Sequence, residues 1–409
     1  MKELFTLGEL HVSDFIKEGQ TAHPKQEIKL VYDNNLGAVR LEKPAPLDTM
    51  YGRYWYRSGI NATMKNELKS IVHSICGLVN LKENDVWLDI ACNDGTLLSF
   101  LDDNIIRIGI DPADDTFKKE SETHANVIVQ DYFSEKAYRS QKFGHLKAKV
   151  VTCIAMFYDL DNPNPFLQDV YNVMDDDGLF VLQLSYTPLM IHQVAVDNIC
   201  HEHIYYYTLT NMKNLLESNG FRVIDCQLND VNGGSFRIYV VKDTFKTENF
   251  STQPYRDVCL FRMESLLFHE KINGHVGDKQ LVVWESFYYK IENLKKQVVD
   301  FVKTEKVNGK TVWGYGASTK GNTLLQYFGL DHTLIDGMAE RSPYKWGLKT
   351  VGTNIPIFSE DEMRKAKPDY LLILPWHFLS EFIKRESDYI KAGGKFIVPC
   401  PQFKVIGND

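Results

Sequence analysis

Two separate stretches of this 409-residue chain alternate short apolar runs with helix-length connections, and this pattern restricts the fold more than any other feature. In the first stretch, candidate strands at 86–90, 106–110, 127–129, 150–154 and 178–184 are followed by runs at 223–227 and 235–241. Helical patterns separate most of them, and the one at 209–219 stops at Gly220, as a C-terminal glycine predicts. In the second stretch, runs at 310–314, 334–336, 370–374 and 395–398 repeat the arrangement. Such alternation predicts a mostly parallel sheet with helices on both faces. The last two runs of the first stretch lack a helix between them and predict an antiparallel edge pair.

A chain of this length exceeds what one hydrophobic core supports, so it divides. Residues 1–65 read as a small N-terminal lobe that buries little alone and must lean on the rest. Residues 66–245 read as a first α/β domain and 246–308 as a helical spacer, free of Gly and Pro from 278 to 306. Residues 309–409 read as a second α/β domain. The net charge of -8 gives no general attraction to nucleic acid. No apolar run approaches the roughly 18 residues of a membrane span, and the mixed start Met1-Lys-Glu-Leu-Phe-Thr6 does not fit a secretory signal. The 7 cysteines are dispersed without a CxxC pair, which predicts free thiols and a cytoplasmic protein. Monomer and homodimer both stay open.

The segment Asp89-Ile-Ala-Cys-Asn-Asp-Gly-Thr-Leu-Leu98 reads as a strand end, a tight acidic turn and a helix start. Gly95 would let backbone approach a nucleoside closely, and Asp89 and Asp94 would face a cationic sulfonium. Asp111 ends the next strand at about the spacing, roughly 20 residues, where an acid meets ribose hydroxyls in Rossmann-type sheets. Ala91 and Cys92 stand where a dinucleotide-binding turn needs glycines, so S-adenosylmethionine (SAM) is expected rather than NAD. Asn93 belongs to the same turn, and Asp131, after the third strand run, is a candidate for the adenine end. Asp131 could equally be a solvated strand-end acid.

The cluster Cys200-His-Glu-His-Ile-Tyr-Tyr-Tyr-Thr208 follows the fifth strand, on the side where α/β sheets place ligands. His201, Glu202 and His203 suit acid/base chemistry, since an ordinary imidazole takes a proton near neutral pH. The spacing is not that of a helical zinc motif, and no second ligand group is evident, so no metal is expected. Asp159, in an acidic loop after the fourth strand, and Asn232-Gly-Gly-Ser235, between two strands, face the same end or simply form turns. Gly314 to Gly321 makes a glycine-rich turn, with Ser318, Thr319 and Lys320 placed to meet an anion at a helix N-terminus.

These motifs together resemble the sugar C-methyltransferases that act on nucleotide-linked keto-deoxysugars, the tetronitrose type. The 89–98 segment is similar to their E-I-G-S-N-D-G-T-L-L donor loop, His201-Glu-His-Ile-Tyr-Tyr-Tyr-Thr208 to their x-E-H-x-x-Y-F-S, and Asn232-Gly-Gly-Ser235 to their H-G-G-S. The resemblance covers nearly the whole chain. It implies a class I methyltransferase Rossmann-like domain, a helical spacer, a second Rossmann-like C-terminal domain and a small N-terminal lobe. It implies further that SAM methylates a 4-keto sugar at the carbon next to the ketone, with His203 as base and Glu202 holding the imidazole or the sugar. In this reading Gly233 and Gly234 lie against the sugar. Lys320 and His377 contact a diphosphate, and Trp376 stacks on a base or packs in the core. O- or N-methylation of a related sugar is the alternative. The chain departs from the family in four places. It lacks the four-cysteine zinc lobe, having no cysteine before Cys76, so no zinc is expected. Cys200 stands where a tyrosine is usual, with Tyr206 a possible substitute, Asp159 stands near a family histidine, and Asn232 replaces the histidine before Gly-Gly.

Overall fold

A computed structural model of the chain describes residues 1–46, 50, 54–245 and 253–407, with the side chains of 253 and 254 excepted. The expected start of the spacer at 246 lies outside the described residues.

The N-terminal lobe is built from β1 (Lys2–His11), β2 (Phe15–Ile16), β3 (Lys25–Asp33) and β4 (Ala38–Leu41). The methyltransferase-type sheet takes β5 (Val86–Ile90), β6 (Ile106–Ile110), β7 (Val127–Val129), β8 (Ala148–Ile154) and β9 (Met174–Ser185). After the two-residue β10 (Tyr205–Tyr206) it adds β11 (Phe221–Asn229) and β12 (Ser235–Lys242). Its order is β11-β12-β9-β8-β5-β6-β7, with the five strands from β9 to β7 parallel. The pair β11/β12 is antiparallel as expected, but β12 does not sit at the edge: it inserts between β9 and β11. The reason is burial. Every residue of β12 is buried, which suits an interior strand covered on both faces, whereas β11 ends in the half-exposed Gln227, Leu228 and Asn229. Strand order reverses between β5 and β8, which opens a crevice at their carboxyl ends.

The lobe leans on both domains. Its sheet has the order β1-β3-β4-β10, so the strand that follows the His-Glu-His cluster completes it. The boundary expected at 65 falls inside the helix Ala62–Cys76, whose N-terminus is capped by the Asn61 side chain accepting from the Thr63 amide. That helix buries Leu68, Ile71 and Ile75 against Trp87 and Val150 and belongs to the first domain.

The expected spacer is two core helices. The helix Gln253–Ile272 lays Met263, Leu266 and Leu267 on the core of the first domain, and its buried Glu270 accepts from Leu209 and Thr210 amides at 2.6 and 2.9 Å. The helix Gln280–Val307 buries Trp284, Phe287, Ile291, Leu294, Val298 and Val302, a spacing of three and four that keeps one face inward. That face joins a core shared by the lobe and the C-terminal domain.

The C-terminal domain carries β13 (Val312–Tyr315), β14 (Gly337–Glu340), β15 (Lys349–Thr350), β16 (Ile357–Ser359), β17 (Tyr370–Ile373), β18 (Lys395–Val398) and β19 (Lys404–Ile406). Its six-stranded sheet has the order β16-β14-β13-β17-β18-β19, parallel except for β19. The strand expected at 334–336 forms three residues later, because Asp336 caps the β13 edge with its carboxylate on the Val312 amide. Strand β15 pairs with β2 of the lobe. No helix among the described residues is long and apolar enough to cross a membrane.

Candidate active site

Two cavities of about 1280 and 1380 Å³ open side by side, at the carboxyl ends of the first sheet and of the C-terminal sheet. They share Tyr54, Tyr56, Ala155, Asp159 and Asn232 as lining, so a ligand in one touches the same wall as a ligand in the other.

The first cavity is shaped by the turn after β5. Ala91 and Asn93 hold left-handed backbone at φ 57° and 53°, and the Ala91 amide donates to the Ile110 carbonyl at 2.8 Å. Asp111 accepts from the amides of Asn93 and Ala113, both at 2.8 Å, which fixes its carboxylate at the mouth of β6. Asp89 is buried and accepts from the Thr152 hydroxyl at 2.6 Å. Burial pushes it up to about 7, with Asp111's charge adding and the Thr152 bond opposing. Four of the eight non-glycine residues with positive φ among those described (Ala91, Asn93, Ala155 and Asn232) line this one cavity. Such backbone is costly and persists where surroundings impose it, commonly at ligand sites. An acidic floor of Asp89 and Asp111 under walls of Tyr132, Phe133 and Met156 fits a cationic adenosyl group.

Asp94 and Gly95 do not reach the cavity lining. The Asp94 carboxylate accepts from the Gly59 amide at 2.7 Å and the Thr96 hydroxyl at 2.6 Å, tying the lobe-to-helix connection to the turn. A Cβ on Gly95 would lie 2.8 Å from Ser121 Cα, so the glycine admits a helix rather than a nucleoside. Asp131 is exposed and bonds the Tyr132 amide, and its neighbours Tyr132 and Phe133 take the wall instead.

The second cavity is lined by His203 and Glu202. His203 is 6% exposed, with the Tyr158 ring 4.1 Å away, and its ring bonds the Asn198 backbone carbonyl. Burial, and then the charge of Lys320, hold the imidazole well below the usual histidine range. One ring nitrogen therefore donates to Asn198 and the other keeps its lone pair. Glu202 lines the same cavity, and burial raises its carboxyl against a Cys200 bond and Lys320. His201 and Tyr206 part company with them. His201 turns its ring to the Gln26 carbonyl of β3 at 3.2 Å, lines neither cavity and is pushed down to about 4 by burial. Tyr206 packs edge-on against Trp284 of the helix Gln280–Val307, its hydroxyl buried without a partner. Residues 201–204 lie in neither strand nor helix, and there the chain turns His201 to the lobe while the adjacent Glu202 and His203 line one cavity.

From the C-terminal domain, Ser318 caps the helix Thr319–Phe328 by accepting from the Gly321 amide at 3.0 Å. Lys320 reaches across to donate to the Asn198 side-chain oxygen at 2.6 Å. His377 faces the cavity, pushed down to about 3 by burial and then by Lys320. Trp376 does not line this cavity: its indole N–H donates to Asp197 at 3.0 Å under the Asn232 loop. A Cβ on Gly233 would sit 3.0 Å from that indole and one on Gly234 2.6 Å from Leu189, so both glycines serve packing, while Asn232 faces both cavities.

Sequence reading missed Tyr54, Tyr56 and Arg57, which line the second cavity, and also Tyr158, Asp197, Arg341, Ser342 and Lys345. The aromatic run Tyr54-Trp-Tyr-Arg57 was the available signal. Arg57 is buried, pairs with Glu120, donates to Thr116 at 2.6 Å and lies 3.9 Å from the centre of the Phe117 ring.

Residues 60–225 match the family described as "Methyltransferase domain", and residues 230–401 match that described as "C-methyltransferase C-terminal domain". The chain is 27% identical over 363 residues to the C-methyltransferase NovU of Streptomyces niveus, covering 88% of this chain and 83% of that protein. It is 26% identical over 143 residues to the sphingolipid C9-methyltransferase of Komagataella phaffii (strain GS115 / ATCC 20864), covering 29% of this chain and 26% of that one. A solved SAM-dependent methyltransferase from Clostridium acetobutylicum ATCC 824 aligns at 13% identity and TM-score 0.34, over 44% of this chain and 92% of its own. The protein is a SAM-dependent methyltransferase. Within that class it belongs with the C-methyltransferases, whose C-terminal domain it carries.

Proposed function

We propose that the protein methylates a nucleotide-linked 4-keto-deoxysugar at the carbon beside the ketone, with His203 as the base. The observation that carries this reading is the place of His203: a neutral imidazole lining the acceptor cavity, which shares a wall with the donor cavity. When bound, SAM supplies an electrophilic methyl on a cationic sulfur. A carbon acceptor is not nucleophilic until a proton leaves, so C-methylation needs a base at the acceptor. The free ring nitrogen of His203 takes that proton from the sugar carbon, and the bond to the Asn198 carbonyl holds the tautomer that leaves it free. SAM held in the donor cavity would supply its methyl to the enolate carbon, leaving S-adenosylhomocysteine. Glu202 lines the same cavity as His203 and holds the imidazole or the sugar. Lys320, Ser318 and His377 line the cavity where the diphosphate would lie, an anion at a helix N-terminus. Asp111 takes the ribose hydroxyls of the donor, and Asp89, beneath it, the positive charge.

His203→Gln keeps the size and one donor but cannot take the proton. Turnover is expected to fall by about 10²-fold or more, the span of general base catalysis, with S-adenosylhomocysteine affinity by calorimetry unchanged. Turnover within a few-fold of the parent would remove His203 from the base role.

A further inference from the structure

The wall that the two cavities share has little regular structure of its own. Residues 54–57 lie in neither strand nor helix, and the short 3-10 turn Ser58–Ile60 follows. Tyr54 and Tyr56 line both cavities, while Trp55 between them turns away and donates its indole N–H to Asp14 of the lobe at 2.8 Å. From Tyr56 onward this strap, residues 54–59, is held from the donor side. The Asn93 side chain takes it at two points: its nitrogen donates to the Tyr56 carbonyl at 2.9 Å, and its oxygen accepts from the Ser58 amide at 3.0 Å. The Asp94 carboxylate holds the Gly59 amide one residue on. Arg57 reaches the helix Asp115–Ser121, which follows the donor strand β6, through Glu120, Thr116 and the face of Phe117. The Tyr54 ring packs on the same Phe117, with ring centres 6.0 Å apart.

Asn93 therefore faces two ways. Its backbone amide bonds Asp111 in the donor cavity, and its side chain holds the strap on either side of Arg57. The residue keeps left-handed backbone at φ 53°, which asparagine adopts more readily than most. A ligand packed on the donor turn restrains Asn93, and through it the two tyrosines that an acceptor meets next. An element already ordered by one ligand costs the second ligand less to order, which makes the two bind cooperatively.

We propose that Asn93 is a positioning residue through which strap 54–59 couples the two cavities, so that a bound donor strengthens acceptor binding. The proposal rests on the reading of the second cavity as the nucleotide-sugar site. By linkage, the acceptor strengthens donor binding by the same factor. Replacing a residue that merely supported the fold would weaken either ligand alone and leave that factor in place.

The test is calorimetric titration of the full chain with dTDP-glucose, UDP-glucose, GDP-mannose and CDP-glucose, each with and without saturating S-adenosylhomocysteine. These sugars lack the ketone and S-adenosylhomocysteine lacks the methyl, so binding is read without turnover. For the sugar nucleotide that binds best, S-adenosylhomocysteine is expected to lower Kd by roughly fivefold or more, and the sugar nucleotide should lower the Kd of S-adenosylhomocysteine by the same factor. Asn93→Gly keeps the left-handed backbone and removes both side-chain bonds, so both ratios should fall to near one. Asn93→Asp keeps an accepting oxygen for Ser58 and loses the donor to Tyr56, so its ratios should lie between. Thermal unfolding reports that each variant is folded. A ratio of one in the parent, or a parent-like ratio in Asn93→Gly, would overturn the coupling and leave the nucleotide-sugar reading intact. Binding by none of the sugar nucleotides, with or without S-adenosylhomocysteine, would overturn both.

Discussion

The ammonium group of Lys320 bonds Asn198 across the domain interface and sits close enough to His203 and His377 to depress both imidazoles, second only to their burial. In the proposed reaction this keeps His203 deprotonated at neutral pH and leaves it able to act as base. The sign is testable. Removing the charge in Lys320→Met raises the His203 pKa toward the ordinary histidine value near 6.5, so the acidic limb of the kcat profile moves to higher pH. Saturating substrate separates that shift from weaker substrate binding. A limb that stays in place, or moves to lower pH, would show that Lys320 does not set the protonation of the base. At this scale the placement of Asp89 and Asp111 in one cavity was largely readable, because they sit at ends of neighbouring strands, and strand, turn and acid are local in sequence. Asp94, Gly95 and Asp131 were not separable from them by spacing, because each differs only in which way its side chain turns.

Strand β10 is two residues long, yet it joins the acid/base cluster to the lobe. Pairing of Tyr205 and Tyr206 with Arg40 and Val39 of β4 fixes the chain just after His203. Its alternation sends Tyr206 to Trp284. Tyr206→Phe should therefore keep turnover within about twofold and leave stability unchanged or slightly raised, because an unpartnered buried hydroxyl is lost. Tyr206→Ala should cost about 3–5 kcal/mol in urea unfolding, as for other large aromatic truncations in cores. A large loss of turnover in the stable Phe variant would return Tyr206 to the chemistry. None of this was visible in the sequence, where Tyr205 to Tyr207 read as one aromatic run. Partner strand and face come from pairing across about 165 positions, as in the Tyr205 hydroxyl that accepts from Arg40. The segment expected as a helical spacer is helical where described, but apolar periodicity identified the helix Gln280–Val307 and not the two bodies whose core it fills.

Across the whole molecule the alternating pattern led directly to two mostly parallel sheets, and the order of each places the carboxyl ends of its parallel strands toward a cavity. The site itself belongs to neither sheet alone. The lobe's connection supplies Tyr54, Tyr56 and Arg57, the first domain supplies Glu202 and His203, and the C-terminal domain supplies Lys320 and His377. Pairing of β2 with β15, and of β10 with β4, holds the three parts in one arrangement. The function proposed above is proton removal from carbon in one cavity beside a methyl donor in the next. The most direct measurement is proton exchange without methyl transfer. The enzyme, a 4-keto nucleotide sugar and S-adenosylhomocysteine are incubated in deuterated water, and the sugar is followed by NMR. Deuterium should enter at the carbon beside the ketone, faster than in buffer alone, and this gain should vanish in His203→Gln. Exchange no faster than the buffer rate, alongside methylation of an oxygen or nitrogen, would contradict the account.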